Sequence, residues 1–180
     1  AFGKSAQFPL HFWLPNAMAA PTPVSAYLHS AAMVKLGIFL VARFYPIIQT
    51  SLPILELLII FGFITMTLGA VFSLLSNDIK AILAYTTVSQ LGFLMGIYGL
   101  GNNGVEHDFF HILNHVFYKG ALFMIAGIVI HTVHKKDIRE IGGLFKLMPL
   151  TGIACLFATA GMAALPGTTG FISKELMLET

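Results

Sequence analysis

The chain has 180 residues, 57% hydrophobic and only 10% charged, with a formal net charge of +2. Soluble domains carry about 25% charged residues, so this composition, with a mean hydropathy of +0.83, is that of an integral membrane protein, an all-α polytopic bundle of transmembrane helices. The small charge and the lack of a basic stripe interleaved with aromatics exclude nucleic-acid binding, and the single cysteine, Cys155, excludes an internal disulfide.

A spanning helix needs about 20 predominantly apolar residues. The chain opens on AFGKSAQ without a starting Met and ends inside ISKELMLET, so residues 1–180 read as an internal fragment of one larger transmembrane domain. The first helix is expected over 2–18 and is broken at Pro9, a few residues after Lys4. The prolines from Pro15 to Pro23 make the turn into a helix at 22–45, which carries His29 and Lys35. Pro46 and Pro53 bracket the next turn, and a helix at 54–75 follows with Glu56 near one end. Ser76-Asn77-Asp78 is an N-cap signal for a helix at 79–100. The loop Gly99 to Gly104 leads to a helix at 108–133, which His107 and Asp108 cap and which holds His111, His115, Lys119 and His131. A helix at 147–165 carries no charge, and the last segment, 168–180, is interrupted by Pro166-Gly167 and Gly170 ahead of Lys174. The expectation is five full spans and two partial, broken ones. The longest polar stretch, His134 to Lys146, holds Lys135, Lys136, Arg139 and Lys146, whereas the opposite loops, 46–53 and 99–107, hold no Lys or Arg. The positive-inside rule therefore places loop 134–146 in the cytoplasm.

The candidate chemistry lies in charges that the membrane should not tolerate. A lysine in hydrocarbon costs several kcal/mol unless it is paired, solvated or neutral. His111, His115 and Lys119 recur every four residues, advance about 40° per step and so share one helix face over about 12 Å. Three readings apply to that row. Histidine titrates near neutrality and burial favours neutral lysine, so the row can relay protons through water. It can also simply hydrogen-bond neighbouring helices. A zinc site is the third, but the HExxH glutamate is missing, because position 112 is Ile112. Lys4 is either a lysine snorkelling from a helix end or a buried cation whose acidic partner lies outside this sequence. Lys174, beside Glu175, is either a local exposed pair or a buried cation after the break. Lys80 reads as an interface residue behind the Asp78 cap. His29 and Lys35 sit about 240° apart on a uniform helix and so face different neighbours. Lys35, Ser89 and Gln90 mark a candidate cation path, and Thr86, Thr87, Ser89 and Gln90 either hold water or bond neighbouring helices. Paired broken helices in a transporter point to the ion site and to inverted repeats. No nucleotide loop, nucleophilic triad, cysteine metal framework or haem motif is present, so no cofactor, no metal and no enzyme active site is expected.

The run Gly3-Lys4-Ser5-Ala6-Gln7-Phe8-Pro9-Leu10, then Trp13-Leu14-Pro15, Pro21-Thr22-Pro23-Val24-Ser25-Ala26 and His29, resembles the proton-translocating antiporter family. So do Asp78-Ile79-Lys80 with Leu83-Ala84-Tyr85-Thr86, Phe110-His111 with His115 and Lys119, and Gly170-Phe171 with Ser173-Lys174-Glu175. The family includes the antiporter-like subunits of respiratory complex I and of Mrp-type multisubunit sodium/proton antiporters. Ala26-Tyr27-Leu28-His29-Ser30 with Met33-Val34-Lys35 is similar to the Mrp A branch. Asn16 and Ala32 depart from the family's usual Asp and Thr. The resemblance implies inverted five-helix repeats, each with one broken helix, in a multi-pass plasma-membrane protein. It implies a proton relay through Lys4, His29, Lys80, His111, His115, Lys119 and Lys174, with Lys4 the central lysine of one half-channel and Lys80 the link between halves. It implies other membrane subunits of a hetero-oligomeric complex as partners, the bilayer as surroundings, and protons and sodium ions as cargo, in a transporter rather than an enzyme. The alternative it implies is a proton-pumping subunit of complex I or of a related membrane-bound hydrogenase, and so a part of a redox-driven translocase. A passive helical scaffold is the third reading, in which Lys4, Lys119 and Lys174 would tolerate Ala.

Overall fold

A computed structural model of the chain describes residues 1–31, 33–101 and 105–179. Ala32, most of the Gly99 to Gly104 loop, and the side chains of His107 and Asp108, expected as caps, lie outside the described residues. Residues 2–12 form successive turns, followed by a short helix α1 (Trp13–Asn16) and a 3-10 turn, Ala17–Ala19. Then come α2 (Thr22–Ala26), a π-helical turn (Tyr27–Ala31), α3 (Met33–Ile48), α4 (Leu52–Leu75), α5 (Ile79–Gly99) and α6 (Val105–Val133). A 3-10 turn at Ile138–Glu140 and the short α7 (Leu144–Leu147) lead to α8 (Pro149–Ala163) and α9 (Thr169–Glu179).

Among the described residues, four helices are long and apolar enough to cross a membrane: Thr22–Ile48, Leu52–Leu75, Ile79–Gly99 and Phe109–Val133. The fifth expected span is shorter, 15 residues in α8, because Pro149 cannot continue the preceding turn and starts a new helix, while Ala164 ends it in the left-handed region at φ 55. The first expected helix, 2–18, is not a helix before Trp13. Ala6 has φ 50, a conformation that helices exclude, and Pro9 removes a donor. This irregular stretch is held by protein. The Phe8 N–H donates to Thr65 Oγ1 at 2.8 Å near the middle of α4, and the Trp13 indole donates to Gly3 O at 2.9 Å. Non-helical backbone at membrane depth requires such partners.

The α4–α5 hairpin is the rigid frame. A Cβ on Gly62 would overlap the backbone of Gly96, and one on Gly92 would meet the backbone of Met66. The two backbones therefore approach as closely as small residues allow. At the other end of α5, Asp78 caps the helix by accepting from the N–H groups of Lys80 and Ala81, as its sequence position predicts. Asp78 also forms an isolated antiparallel bridge with Asp137: Ile79 N–H donates to Lys136 O at 3.1 Å and Ile138 N–H to Asn77 O at 2.9 Å. That bridge puts the 76–78 turn and the basic 134–146 loop on one side of the bundle.

A buried row of lysines and histidines

Three lysines on three different helices end on backbone carbonyls. Lys80, 6% exposed, reaches across from the start of α5 and donates to Met18 O at 3.1 Å and Ala20 O at 2.8 Å. Those carbonyls close the Ala17–Ala19 turn. Lys174, half-buried on α9, donates to Met162 O at 3.1 Å, at the end of α8. The carbonyls at a helix end lack intrahelical partners and carry the negative end of its dipole, so both sites suit a cation. Lys119 differs. Fully buried on α6, it donates to Leu83 O at 3.2 Å and to the Thr86 hydroxyl, both inside α5. The Leu83 carbonyl also accepts from the hydroxyls of Thr86 and Thr87.

The histidines lie between these lysines. His111, on the face of α6 toward α9, shares a hydrogen bond of 3.2 Å from its Nδ1 with Ser173 Oγ. Three residues on, Asn114 donates to Thr169 O at 3.2 Å, so α9 is fastened to α6 at two points. His115 is 1% exposed and lies edge-on to Tyr118. His29, in the π-helical turn, is fully buried against the Phe123 ring, centroids 4.9 Å apart. Neither ring nitrogen of His29 or His115 has a hydrogen-bond partner among the described residues. His29 is within electrostatic range of Lys119, Lys35 and Lys80. His115 is within range of Lys35, Lys119, His111 and His29, and His111 of Lys174 and Lys35. Electrostatic coupling thus links the groups in the order Lys80, His29, Lys119, His115, His111, Lys174. One carboxylate acts on this row among the described residues, that of the α5 cap Asp78 on Lys80.

Lys35 occupies a place that spacing alone misassigns. It is 7% exposed and acts on His29, His111, His115 and Lys119 alike. The 240° separation of His29 and Lys35 assumes a uniform α-helix. The π-helical turn at Tyr27–Ala31 interrupts that winding, and both residues act electrostatically on His115. Lys35 also lines an apolar groove of about 690 Å³ between α3 and α6, with Arg43 and Tyr98. Ser89 and Gln90 line a different cavity, between α4, α5 and α8. The structure therefore does not bring Lys35 together with Ser89 and Gln90 as the candidate cation path groups them.

Lys4 stands apart. Its side chain is exposed, beside a backbone that touches α3 where Gly37 leaves room for Ala1 and Ser5. The buried alternative for Lys4 is not what the described residues form. Glu56, His131 and His134 are exposed, and Cys155 is half-buried against an apolar cluster. Sequence reasoning passes over His11, which is 4% exposed and stacked between Phe12 and Phe72, and over Asn114 and Ser173 as the α6–α9 fasteners. The signals that point to the fasteners are a polar residue three positions from His111 and a serine after a Pro-Gly break.

All of residues 1–180 match a family described as NADH:quinone oxidoreductase/Mrp antiporter, TM. The chain is 49% identical over 191 residues to the A subunit of the Na(+)/H(+) antiporter of Alkalihalophilus pseudofirmus, a match covering 98% of this chain and 24% of that protein. It is 49% identical over 177 residues to a Rhizobium meliloti protein named as the probable A/B subunit of a K(+)/H(+) antiporter, covering 98% of this chain and 18% of that one. A chain in the solved structure of the Mrp complex from a Dietzia species superposes with a TM-score of 0.93 at 45% identity, covering 99% of this chain and 20% of that one. The sequence thus spans 18% to 24% of these relatives. The long apolar helices, the buried cations between them and these similarities lead to one conclusion: the chain belongs to the NADH:quinone oxidoreductase/Mrp antiporter transmembrane family and is a multi-pass membrane protein.

Proposed function

We propose that this chain is part of the A subunit of a multisubunit monovalent cation/proton antiporter, a transporter rather than an enzyme, and that it carries that subunit's proton relay. The observation behind this reading is the electrostatically linked series from Lys80 to Lys174, with two histidines whose ring nitrogens face no protein partner among the described residues. Histidines and lysines within electrostatic range of one another, with the Asp78 carboxylate acting at one end alone, can take up and hand on a proton but cannot all be charged at once. A proton passes from Lys80 by His29 to Lys119 and onward by His115 and His111 to Lys174. Lys4 delivers to this series from a neighbouring half-channel whose acidic residue belongs to sequence outside this chain. The basic loop 134–146 faces the cytoplasm, and the other membrane subunits of the complex supply the rest of the path. Similarity to the A subunit of an antiporter and to the Mrp complex favours this over a complex I subunit.

The test is exchange in vesicles holding the intact complex. Lys119→Ala removes the central group and should lower cation-driven proton exchange by at least about 100-fold, the scale of a lost proton-transfer group, with the complex still assembled. Near-normal exchange would remove the relay from consideration and leave a helical scaffold.

A further inference from the structure

The cavity beside Lys119 has an unusual polar lining. It measures about 140 Å³ and lies between α4, α5 and α8, walled by Ala70, Ser73, Thr86, Ser89, Gln90 and Met162. Every hydroxyl in it has already committed its hydrogen to a backbone carbonyl. Ser73 donates to Ala70 O at 2.7 Å, Thr86 to Ile82 O and Leu83 O at 3.0 Å, and Ser89 across the hairpin to Met66 O at 2.9 Å. A hydroxyl so engaged has only lone pairs left to offer. Gln90 brings an amide NH2 and an Oε1, and the Oε1 is buried with no partner among the described residues. Three hydroxyl oxygens and that Oε1 are the cavity's acceptors. A divalent ion, which calls for carboxylates, finds none among the lining residues. The volume corresponds to about four waters at roughly 30 Å³ each, enough for an ion that keeps part of its hydration shell. Thr86 and Gln90 lie about 10 and 16 Å along α5 from Ile79, at mid-membrane depth.

We propose that this cavity binds a monovalent alkali cation and does so only when Lys119 is neutral, so that cation and proton exclude each other at one place. Thr86 belongs to both arrangements: it lines the cavity and receives the Lys119 ammonium. A charged ammonium at that rim repels a cation strongly in so dry a site. The exchange balances: the cation enters, the lysine ammonium gives one proton to the relay, and the site holds one positive charge before and after. The other groups that act on Lys119 are Lys35 from α3, His29 from the π-helical turn and His115 from its own helix. α8 carries no charged residue of its own, but Lys174 of α9 sits on the carbonyl of Met162 in the cavity wall; the one charged residue of α4, Glu56, is exposed. The inference rests on the antiporter reading and assigns it a site.

The experiment uses the intact complex, with Na+ and K+ as separate probes. In detergent without buffer, adding the bound cation should release about one proton per complex at this site, and Lys119→Ala should abolish that release. In vesicles, Gln90→Leu should raise the cation concentration for half-maximal exchange at least about tenfold. Gln90→Glu, which adds a charged oxygen, should lower it and make it depend on pH. A Gln90→Leu variant that fails to assemble leaves Gln90→Glu to decide. Unchanged cation dependence in these variants, with exchange intact, overturns the site and spares the antiporter reading. A wild-type complex with no cation-driven proton exchange overturns both.

Discussion

The two ends of the buried row and its centre hold their lysines in different ways. At the ends, Lys80 and Lys174 sit on terminal carbonyls of short or finished helices. Such carbonyls lack an intrahelical N–H partner and the helix dipole favours a cation there, although Ala20 O also accepts from the Ser25 hydroxyl at 3.4 Å. At the centre, Lys119 leans on a carbonyl already inside the α5 ladder and on one hydroxyl. In the proposed relay the ends hold an ammonium more firmly and the centre releases its proton more readily. A membrane protein can thus set the behaviour of a buried lysine through the state of the backbone it touches.

Arginine substitution tests the contrast most severely. A guanidinium keeps its charge at every working pH. Lys119→Arg should therefore lower exchange by about 100-fold or more, and Lys80→Arg and Lys174→Arg, which block the first and last transfers of the proposed relay but keep their carbonyl contacts, should lower it by less. Equal losses at all three positions, measured as initial rates in vesicles, would erase the distinction. The next effect is on stability. Lys80→Met strips a charge-assisted donor from Met18 O and Ala20 O, at about 1.5–3 kcal/mol for each bond, and should lower the melting temperature of the complex. An unchanged melting curve would mean that the end lysines are not structural.

Ser173→Ala is milder. It removes the partner of His111 Nδ1 at about 0.6–1.5 kcal/mol, loosening α9 while Asn114 still holds Thr169. Thermal stability should fall slightly, and a fall as large as that of Lys80→Met would contradict the ranking. The smallest effect belongs to the loop outside the membrane. Hydrogen bonds from the Arg139 side chain and backbone hold the Asp137 carboxyl at about 2, below its ordinary 3.8. A depressed acid contributes stability that is complete above its unfolded value and is lost as pH falls through its folded one. Hydrogen-exchange protection of the Arg139 amide should thus decline between pH 3.8 and about 2, and should not change between neutrality and pH 5.

Much of this arrangement is legible in residue order. The four long spans follow from apolar length, the Asp78 cap from Ser76-Asn77-Asp78, and the shared face of His111, His115 and Lys119 from their spacing. What spacing conceals is local winding and partnership. A periodic count sets Lys35 and His29 apart by angle, yet both act on His115 across the bundle, and a π-helical turn leaves no mark in such a count. The first segment reads as a helix because its residues are apolar, whereas Ala6 and Pro9 forbid the geometry. Lys80 looks like a companion of its own cap, since nothing in the order of residues brings the Met18 and Ala20 carbonyls to it. Long-range pairings of this kind are set by the packing of helices that lie far apart in the chain.

The small bridge between Asp78 and Asp137 has a wider consequence. By joining the first residues of α5 to the stretch after α6 through two backbone hydrogen bonds, it works as a clasp on the axial position of one helix relative to the other. Lys119 rides on α6 and its partners, Leu83 and Thr86, on α5. With the near ends latched, neither helix can slide past the other to separate them. In the proposed relay this end of the bundle is then the fixed frame, and the moving part is the Lys119 side chain turning about its own bonds.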